Sequence, residues 1–377
     1  MRIAFLVERP TQFEAPFYRF AAQDPAHELR VLFTGGPGAA GPVFDPELGK
    51  SVSWGIDLLG GYPSEVCPET EAASWLAERM RPERCDLLIA NGYTQPLYRL
   101  GTRLARRAGV ATALRLDSVL FDGSPVRDLA KRLLFATYMR RTYDLFLGVG
   151  SLTLEYLRSF GVPAGRTGLF PYAVDVETFR SRSSLTPAKR EAARGRLGVP
   201  AGARVILSLA KFSSREAPWD LLRAFGCMNQ EDLWLVLAGD GPERAALEQA
   251  AGSRQVRFPG YVPYPELPAL YAAADLFVHP AREERWGVSV QEALACGLPV
   301  VASSRVGAAF DLIQPGGNGF LYPAGNYEEL AGRLGDALAL PPERVRRTSA
   351  AILAEWDYAA VWRGLLATAQ RAVGRAA

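Results

Sequence analysis

Two glutamates and a glycine stand close together in the second half of the chain, at Glu284, Gly287 and Glu292. They follow a short apolar run that begins at residue 277 and precede a segment with helical spacing that ends at Cys296-Gly297. This order predicts a strand, a loop and a helix that begins near Val288. Unpaired N–H groups and the dipole at the start of such a helix form a site for an anion such as a diphosphate.

The two carboxylates suggest a second kind of contact. Glu284 stands in the predicted loop and Glu292 about one turn into the predicted helix. Because helical side chains lean toward the N-terminus of their helix, both carboxylates can face one crevice. A carboxylate repels a phosphate, so we expect these side chains to accept hydrogen bonds from sugar hydroxyls instead. Ordinary surface charges on a loop and a helix are the simpler alternative.

The elements that must position these residues alternate along the whole chain. Short apolar runs predict buried parallel strands at residues 3–7, 29–33, 87–90, 111–114 and 145–149, and then at 205–209, 234–237, 256–258, 276–278 and 300–302. Segments with helical spacing, such as 96–107 and 129–138, separate them. Strands that alternate with helices indicate βαβ units and parallel sheets.

A break in this alternation suggests two domains. It begins at Phe170, and a polar segment then runs to Thr186 before the strands restart. We therefore predict an α/β protein with two doubly wound, Rossmann-like domains, residues 1–175 and 176–355, and a last helix (356–377) that packs back on the first. Ligands of such folds bind beyond the carboxyl ends of the strands, which here predicts a site in the cleft between the domains.

The run from Phe277 to Ala302 resembles the retaining GT-B glycosyltransferases of family 4, the glycosyl transferases group 1. Glu284 and Glu292 match the E-x7-E motif of that family, and the A-L-A-C-G-L-P-V-V-A run that follows is typical of it. The resemblance covers essentially all of the second domain. It includes the strand-to-helix turn at residues 238–244, the base-reading segment at 259–263 and the later "NGFL" strand at 318–322. Residues 172–175 stand where the family has its interdomain hinge. In the first domain it is looser: segments 54–62 and 115–118 are similar to a bacterial subgroup that acts on saccharide or small-molecule acceptors.

This resemblance implies a donor, a nucleotide-diphosphate sugar with UDP or GDP as the nucleotide. Glu284 would contact the donor hexose and Glu292 the ribose hydroxyls. The backbone amides of Gly287 and Val288 would bind the diphosphate. Trp286, which replaces the usual phenylalanine of the motif, is either a platform for the donor or a core residue.

The resemblance also implies contacts to the rest of the nucleotide. The backbone of Tyr261 and Val262 would read the base, and Gly239 belongs to the strand-to-helix turn of the second domain. His279, at the end of an apolar strand, is expected to be a core histidine. Arg285 replaces a small residue of the motif and would add to the anion site or alter the choice of donor.

One departure concerns the cations that hold the donor diphosphate. The family places an arginine and a lysine after the first strand of its second domain, and Lys211 fits the first position. Simple register puts Glu216 at the second position, whereas a shift of one residue puts Arg215 there. Because a carboxylate that faces a diphosphate is unfavourable by roughly 1–4 kcal/mol, we predict that Arg215 is the second cation and that Glu216 points to solvent.

The resemblance implies a mechanism with retention and without a metal or another cofactor. Lys211 and Arg215, with the helix N-terminus, would neutralise the charge that develops on the departing diphosphate. The leaving phosphate would accept the proton of the acceptor hydroxyl. The sequence agrees, because no pair of acidic residues is convincingly placed to hold Mg²⁺ and no carboxylate is an evident nucleophile for a double displacement.

Residues for the acceptor are sought at the ends of strands in the first domain. Arg115 and Asp117 end one predicted strand, where Asp117 would either orient the acceptor hydroxyl or cap the next segment. The loop after the first strand carries Thr11 and Gln12, which we expect on the acceptor side as well.

Charge and composition exclude several classes of protein. Forty-three lysines and arginines against forty aspartates and glutamates leave a net charge of +3, too little to indicate nucleic-acid binding. No apolar run reaches the length of about 20 residues that crosses a bilayer. The basic stretch at residues 131–141 brackets an apolar helix face, which indicates a solvated helix or, as the alternative, a contact with a membrane surface.

The four cysteines, Cys67, Cys85, Cys227 and Cys296, are widely spaced without a CxxC pair, so we expect buried free thiols. The first apolar run is too short for a signal peptide, which favours a cytoplasmic location. Nothing in the sequence decides the oligomeric state.

Three functions compete at this point. The first is a hexosyltransferase that uses a nucleotide sugar, in polysaccharide or natural-product biosynthesis. The second is a catalytically idle subunit that binds nucleotide sugars or a partner on the same fold, which Glu216 in the register of the lysine favours. The third is a sugar phosphorylase or a nucleotide-sugar epimerase on the same fold.

Overall fold

The computed structural model describes residues 1–36, 41–45, 48, 50–68, 70–121, 124–252 and 255–376. Contacts divide the chain into two compact units. Unit 1 consists of Met1–Gly41, Asp57–Ala173 and Trp356–Ala377, and unit 2 of Pro42–Ile56 and Val174–Glu355. This division differs from the one derived from the sequence in residues 42–56 and 174–175, which belong to unit 2. The chain returns to unit 1 for its last residues.

Fifteen strands form within the described residues: β1 (Arg2–Val7), β2 (Glu28–Phe33), β3 (Val43–Asp45), β4 (Lys50–Val52), β5 (Ser64–Val66), β6 (Leu87–Ala90), β7 (Ala111–Leu116), β8 (Leu145–Gly148), β9 (Thr167–Leu169), β10 (Arg204–Lys211), β11 (Leu233–Asp240), β12 (Val256–Gly260), β13 (Leu276–His279), β14 (Val300–Ser303) and β15 (Gly319–Tyr322). Every apolar run predicted as a strand is one. Strands β3, β4, β5 and β9 have three residues each and lack the continuous apolar run that would predict a strand.

The sheet of unit 1 has seven strands in the order β5-β2-β1-β6-β7-β8-β9, and all neighbours are parallel. Phe5 of β1 pairs with Val31 on one side and Ile89 on the other, and all three are buried. The strand order reverses between β1 and β6. In an open parallel sheet the crevice for ligands lies at such a reversal, beyond the carboxyl ends of the strands.

The sheet of unit 2 has six parallel strands in the order β12-β11-β10-β13-β14-β15. Its core is apolar and includes Ile206, Leu235, Leu276 and Val301, which helices on the faces of the sheet cover. Here the order reverses between β10 and β13. Unit 2 also contains the antiparallel hairpin β3-β4.

Sixteen α-helices lie within the described residues: α1 (Glu14–Ala21), α2 (Ala72–Arg79), α3 (Pro96–Arg107), α4 (Pro125–Leu134), α5 (Arg140–Thr142), α6 (Ser151–Ser159), α7 (Val176–Ser183), α8 (Pro187–Arg196), α9 (Pro218–Met228), α10 (Arg244–Ala251), α11 (Leu267–Ala273), α12 (Val288–Ala295), α13 (Gly307–Leu312), α14 (Tyr327–Leu338), α15 (Pro342–Leu353) and α16 (Tyr358–Ala376). A π-helical turn, Phe135–Met139, joins α4 to α5. In the described part of the chain, no helix combines the length and hydrophobicity that a bilayer span needs.

The C-terminal helix α16 packs within unit 1. The indole Nε1 of Trp362 donates a hydrogen bond of 2.8 Å to Oδ2 of Asp24. The rings of Tyr358 and Phe17 lie 5.7 Å apart, and Leu365 is fully buried. Unit 1 is therefore built from both ends of the chain.

The cysteines are free. Cys67 and Cys85 are buried as expected, and burial raises the pKa of Cys85 to about 12. Cys296 is partly buried and Cys227 is exposed, which corrects the expectation that all four thiols are buried. It stands one residue before the end of α9, on the side of the helix that faces away from the core.

Candidate functional site

The reversal of strand order in unit 2 brings together the loops that follow β10 and β13. Strand β10 ends at Lys211 and β13 at His279, so the loop that carries Arg215 and Glu216 stands beside the loop that carries Glu284. The amide of Arg282 donates a hydrogen bond of 2.8 Å to the carbonyl oxygen of Arg215 and ties the two loops together. The fold thus gathers these sequence-predicted residues at the place where ligands of doubly wound sheets bind.

Gly287 begins the helix that was predicted to bind an anion. It precedes α12 with φ = +96°, a conformation that glycine adopts without strain. A Cβ atom at this position would lie 2.9 Å from Cγ1 of Val306 and 3.2 Å from Nε2 of His279. Only glycine therefore lets the loop turn tightly into the helix, whose first amides have no partners within the helix itself.

Glu284 is fixed at the mouth of this crevice through its backbone and its carboxylate. Its N–H donates to the carbonyl of Arg305, and its own carbonyl accepts from Gly307, both at 2.9 Å. Carboxylate Oε1 accepts from the amide of Trp286 at 3.2 Å, and Oε2 lies 3.4 Å from Nη1 of Arg215. The side chain is 25% exposed, so the carboxylate is positioned and still accessible to a ligand.

The structure corrects the prediction that Glu216 points to solvent. Its side chain is only 7% exposed, and Oε1 accepts a hydrogen bond of 2.6 Å from Nη2 of Arg215. A buried carboxylate is stable only with such a partner, and the neighbouring arginine supplies one. Arg215 therefore contacts the carboxylates of both Glu216 and Glu284.

His279 is buried, as expected, and its Nδ1 has no hydrogen-bond partner among the residues that the structure describes. Burial lowers its pKa, so the imidazole is neutral at pH 7. One ligand atom each from Glu216, His279 and Glu284 lies within 4.8 Å of the others, a set of residue types that can hold a divalent cation. The guanidinium of Arg215 already contacts both carboxylates and supplies positive charge there.

Lys211, the other predicted cation, has an acidic partner that sequence reasoning missed. Its Nζ lies 2.8 Å from Oδ2 of Asp45, at the end of β3. The Asp45 side chain is 12% exposed and that of Lys211 36%. No pattern near Asp45 in the sequence indicates this pairing, because the two residues are far apart along the chain.

Glu292 lies on the buried side of α12 and is only 5% exposed. Its Oε2 accepts a hydrogen bond of 2.8 Å from the hydroxyl of Tyr271, on α11. Burial raises the pKa of Glu292 to about 7, although the hydrogen bond from Tyr271 opposes the shift. The carboxyl group can therefore exchange a proton near neutral pH.

The remaining predicted donor contacts are spread over unit 2. Tyr261 and Val262 are partly buried, and the Tyr261 hydroxyl lies 3.3 Å from the carbonyl oxygen of Ser53. Gly239, with φ = +137°, is the point where β11 passes so close to β10 that a Cβ atom would lie 1.9 Å from the carbonyl oxygen of Ala210. Trp286 is 2% exposed, which favours the packing role of its ring, whereas Arg285 is exposed.

The residues predicted for the acceptor lie in unit 1. Arg115 is 4% exposed; its Nη1 donates to Oε1 of Glu14 at 2.6 Å, and its other nitrogens donate to the carbonyls of Phe170 and Pro171. This geometry gives Arg115 a structural role, and its contact with an acceptor stays a prediction.

Thr11, Gln12 and Asp117 are partly exposed, and their roles also stay predictions. Thr11 Oγ1 accepts from the amide of Glu14 at 3.2 Å and stands before α1. At the reversal between β1 and β6, the side-chain amide of Gln95 donates to Oε2 of Glu8 at 2.8 Å.

Comparison with known proteins places this chain in a family. Residues 189–353 match the sequence model of the glycosyl transferases group 1. The chain is also 31% identical over 328 residues to a GDP-mannose-dependent alpha-(1-6)-phosphatidylinositol dimannoside mannosyltransferase of Mycobacterium tuberculosis, over 83% of this chain and 79% of that relative. The chain belongs to the glycosyl transferases group 1 family. A GDP-mannose-dependent alpha-mannosyltransferase of the same species is 34% identical over 257 residues, 67% of this chain but only 63% of the relative.

The fold of this member of the group 1 family is GT-B. A crystal structure of Anabaena HepE in complex with UDP is similar over 98% of this chain and 100% of that chain, with a TM-score of 0.76 at 19% sequence identity. The predicted α/β class with two doubly wound units is thereby confirmed. The group 1 match includes every residue predicted to contact the donor, from Lys211 to Glu292, and none of those predicted for the acceptor.

Proposed function

We propose that this group 1 glycosyltransferase transfers a hexose, with retention of configuration, from a nucleotide-diphosphate sugar to a hydroxyl of a saccharide, lipid-linked or small-molecule acceptor. The observation that supports this most is the position of Glu284, whose carboxylate is held by Trp286 and Arg215 beside the start of α12. Two similar proteins are named as GDP-mannose-dependent, and the HepE structure contains UDP, so GDP and UDP are the nucleotides we propose.

Each proposed role follows from chemistry that the site provides. The amides at Gly287 and Val288 would bind the diphosphate together with Arg215 and Lys211, because preorganised donors stabilise the charge of a leaving group. Glu284 would accept a hydrogen bond from a hexose hydroxyl. We propose no metal, since Arg215 and Lys211 place positive charge at the site, and the leaving phosphate would take the acceptor proton.

Glu292 would bind the ribose hydroxyls. Its carboxyl is buried without an ion-pair partner in the described structure, and ribose hydroxyls would offer it further hydrogen bonds.

Asp117, Thr11 and Gln12 are the acceptor contacts we propose, because they are partly exposed and follow the carboxyl ends of β1 and β7. Free thiols at Cys67 and Cys85 fit a reducing compartment such as the cytoplasm. We also propose peripheral contact with a membrane. We propose no binding of nucleic acid.

A second candidate function is binding of nucleotide sugars without transfer. The buried Glu216 favours it, because this carboxylate neutralises one of the two cations available to the diphosphate. An idle protein of this kind would bind GDP or UDP and show neither transfer nor hydrolysis of the donor.

The test combines binding and turnover in the full chain. Thermal shift with GDP, UDP, ADP and dTDP and their sugars, GDP-mannose first, identifies the nucleotide. Release of the nucleoside diphosphate from the chosen donor then measures turnover, and NMR of the product gives its anomeric configuration. Glu284→Gln and Glu292→Gln are each expected to lower turnover at least about tenfold, or about 1.4 kcal/mol.

Glu283→Gln is the matched control, since this neighbour is exposed and accepts a hydrogen bond from Arg215 through its backbone carbonyl oxygen, which the substitution keeps. Unchanged turnover in both the Glu284 and Glu292 variants would contradict the site assignment. Binding with no turnover of any donor would support the idle alternative.

A further inference from the structure

The imidazole of His279 is buried at the candidate site without a hydrogen bond. The residue ends β13 and is 4% exposed, and neither ring nitrogen has a partner among the residues that the structure describes. Buried polar atoms of folded proteins almost always have a partner, and an exception calls for an explanation such as a bound ion. The transfer mechanism proposed above gives this imidazole no role.

The side chains around the imidazole are of the types that bind a metal ion. One ligand atom each from Glu216, His279 and Glu284 lies within 4.8 Å of the other two. Zn²⁺ binds such oxygen and nitrogen atoms at about 2.0–2.2 Å, which in a tetrahedral site separates two ligands by roughly 3.3–3.6 Å. The longest separation therefore has to shrink by at most about 1.5 Å. Rotation of the partly exposed Glu284 carboxylate can supply that movement.

These three side chains leave room for an ion to enter. Glu216 and His279 are buried, whereas the side chain of Glu284 is 25% exposed and faces solvent. Three protein ligands with a fourth position left to water are typical of accessible zinc sites. A histidine in the set favours Zn²⁺ over Mg²⁺ and Ca²⁺, because those ions prefer oxygen ligands alone.

Arg215 contacts the same two carboxylates and has to leave them when an ion binds. Its guanidinium lies 2.6 Å from Oε1 of Glu216 and 3.4 Å from Oε2 of Glu284. The arginine side chain is 35% exposed, so it can turn toward solvent while the ion takes over the neutralisation of the buried Glu216. Arg215 and Zn²⁺ are therefore alternatives here, and the ion also supplies a partner for His279.

We propose that Glu216, His279 and Glu284, which we call the zinc cluster, bind Zn²⁺ in exchange for the guanidinium of Arg215. The ion is an inhibitor and not a cofactor, because it engages the Glu284 carboxylate that otherwise accepts a hydrogen bond from the donor hexose. Zinc binding does not depend on the proposed function, whereas inhibition rests on it.

The main experiment is calorimetric titration of the full chain with ZnCl₂, without nucleotide, because phosphates bind zinc themselves. We expect a single saturable site. Glu216→Gln and His279→Gln should each weaken zinc binding at least about tenfold, since loss of even an outer partner of a metal ligand typically costs about 10–100-fold. Co²⁺ in place of Zn²⁺ gives a second readout, the visible absorption of a tetrahedral site, which both variants should lose.

Two substitutions should change zinc and nucleotide binding in opposite directions. Arg215→Ala removes the competing cation, so zinc should bind about tenfold more tightly while the nucleoside diphosphate binds less well. Glu216→Gln should weaken zinc binding while it strengthens nucleotide binding. A variant that had merely lost its fold would lose both ligands, so these opposite signs distinguish coordination from unfolding.

Controls test the other groups of the chain that attract zinc. His27→Gln removes the only other histidine, whose Nδ1 lies 3.0 Å from Oδ2 of Asp24, and Cys227→Ser removes the exposed thiol. Glu283→Gln removes an exposed carboxylate next to the zinc cluster. All three variants should bind zinc like the unchanged protein, and melting temperatures show whether each variant is folded.

Three outcomes would overturn the proposal. One is the absence of saturable zinc binding to the unchanged protein. Another is loss of binding in His27→Gln or Cys227→Ser, which would assign the ion to the surface. The third is unchanged affinity in both Glu216→Gln and His279→Gln.

Turnover provides a separate test of inhibition. Zn²⁺ should inhibit the unchanged protein more than Glu216→Gln, and binding of zinc by the donor phosphates affects both proteins alike. Zinc binding at the zinc cluster without inhibition would contradict the role proposed for Glu284 and not the metal site. A chain that transfers no sugar would contradict the proposed function, and the titrations would still decide whether the zinc cluster binds the ion.

Discussion

The Nη2 atom of Arg215 lies 2.6 Å from Oε1 of Glu216, so a cation proposed to bind the donor diphosphate already has a buried carboxylate partner. Nη1 of the same guanidinium lies 3.4 Å from Oε2 of Glu284. With His279 neutral, these residues carry a net charge of −1. A nucleoside diphosphate is an anion, so Glu216 should weaken its binding.

Glu216→Gln should therefore strengthen the binding of GDP or UDP by about tenfold, because a like charge a few ångströms away costs on the order of 1 kcal/mol or more. Calorimetric titration measures the dissociation constant. Arg215→Ala should act in the opposite direction, and Glu283→Gln should have no effect. Weaker binding in Glu216→Gln would show instead that Glu216 serves to orient Arg215.

The ion pair between Asp45 and Lys211 offers a parallel test of how a carboxylate affects binding of the diphosphate. Oδ2 of Asp45 lies 2.8 Å from Nζ of Lys211. Asp45→Asn keeps the size of the side chain and removes its charge, so we expect tighter binding of the nucleoside diphosphate by about three- to tenfold. Lys211→Ala should weaken it. The control is Asp232→Asn, which removes an ion pair elsewhere in unit 2. Oδ2 of Asp232 lies 2.9 Å from Nε of Arg204, and both side chains are exposed. The idea fails if Asp45→Asn and Asp232→Asn are indistinguishable.

Gly287→Ala should disrupt the site through the backbone. The new Cβ would meet Val306 and His279 in a residue that has φ = +96°, so we expect a loss of about 1–3 kcal/mol in the free energy of unfolding. Nucleotide-induced thermal shifts should fall with it. Gly335→Ala on α14 has nothing within 4 Å of the new Cβ and should stabilise by about 0.5–1 kcal/mol. Equal stability of the two variants, measured by urea denaturation, would contradict the steric account.

The pKa of Glu292, raised by burial to about 7, predicts how stability depends on pH. The folded protein binds this proton more tightly than the unfolded chain, so the contribution is present below pH 4.5 and is lost as the pH rises through 7. In the wild type this loss should lower the free energy of unfolding by an amount on the order of 1–3 kcal/mol between pH 5 and pH 8, and Glu292→Gln should remove it. Chemical denaturation at several pH values tests this, with the exposed Glu328→Gln as control. Parallel pH profiles for wild type and Glu292→Gln would refute the assignment.

How far the sequence predicts the fold depends on where each strand is buried. Leu87–Ala90 and Leu276–His279 are fully buried on both faces of their sheets, so a continuous apolar run identifies them. Ser64–Val66 and Thr167–Leu169 are edge strands of unit 1 and are only partly covered or exposed, so their residues need no such run. The allocation of residues 42–56 to unit 2 depends on contacts between distant segments, which no local pattern encodes.

Some features of the candidate site could likewise be predicted from the sequence and others could not. Gly287 and Glu284 could be predicted because a glycine and a carboxylate at a strand-to-helix turn carry their own physical meaning. The burial of Glu216 could not, since it depends on the arginine beside it and on the loop after β13. The partners of Arg115 were also missed, because Glu14 and Phe170 reach it from distant parts of the chain.

The return of α16 to unit 1 has a consequence for biosynthesis. A ribosome releases residues in order, so every segment of unit 2 has left the exit tunnel before Trp362 can reach Asp24. Until α16 has left the tunnel, the apolar surface around Phe17 in the first part of unit 1 stays uncovered. A nascent chain arrested after residue 355 should accordingly bind chaperones through its N-terminal half, and release of the last helix should end that binding.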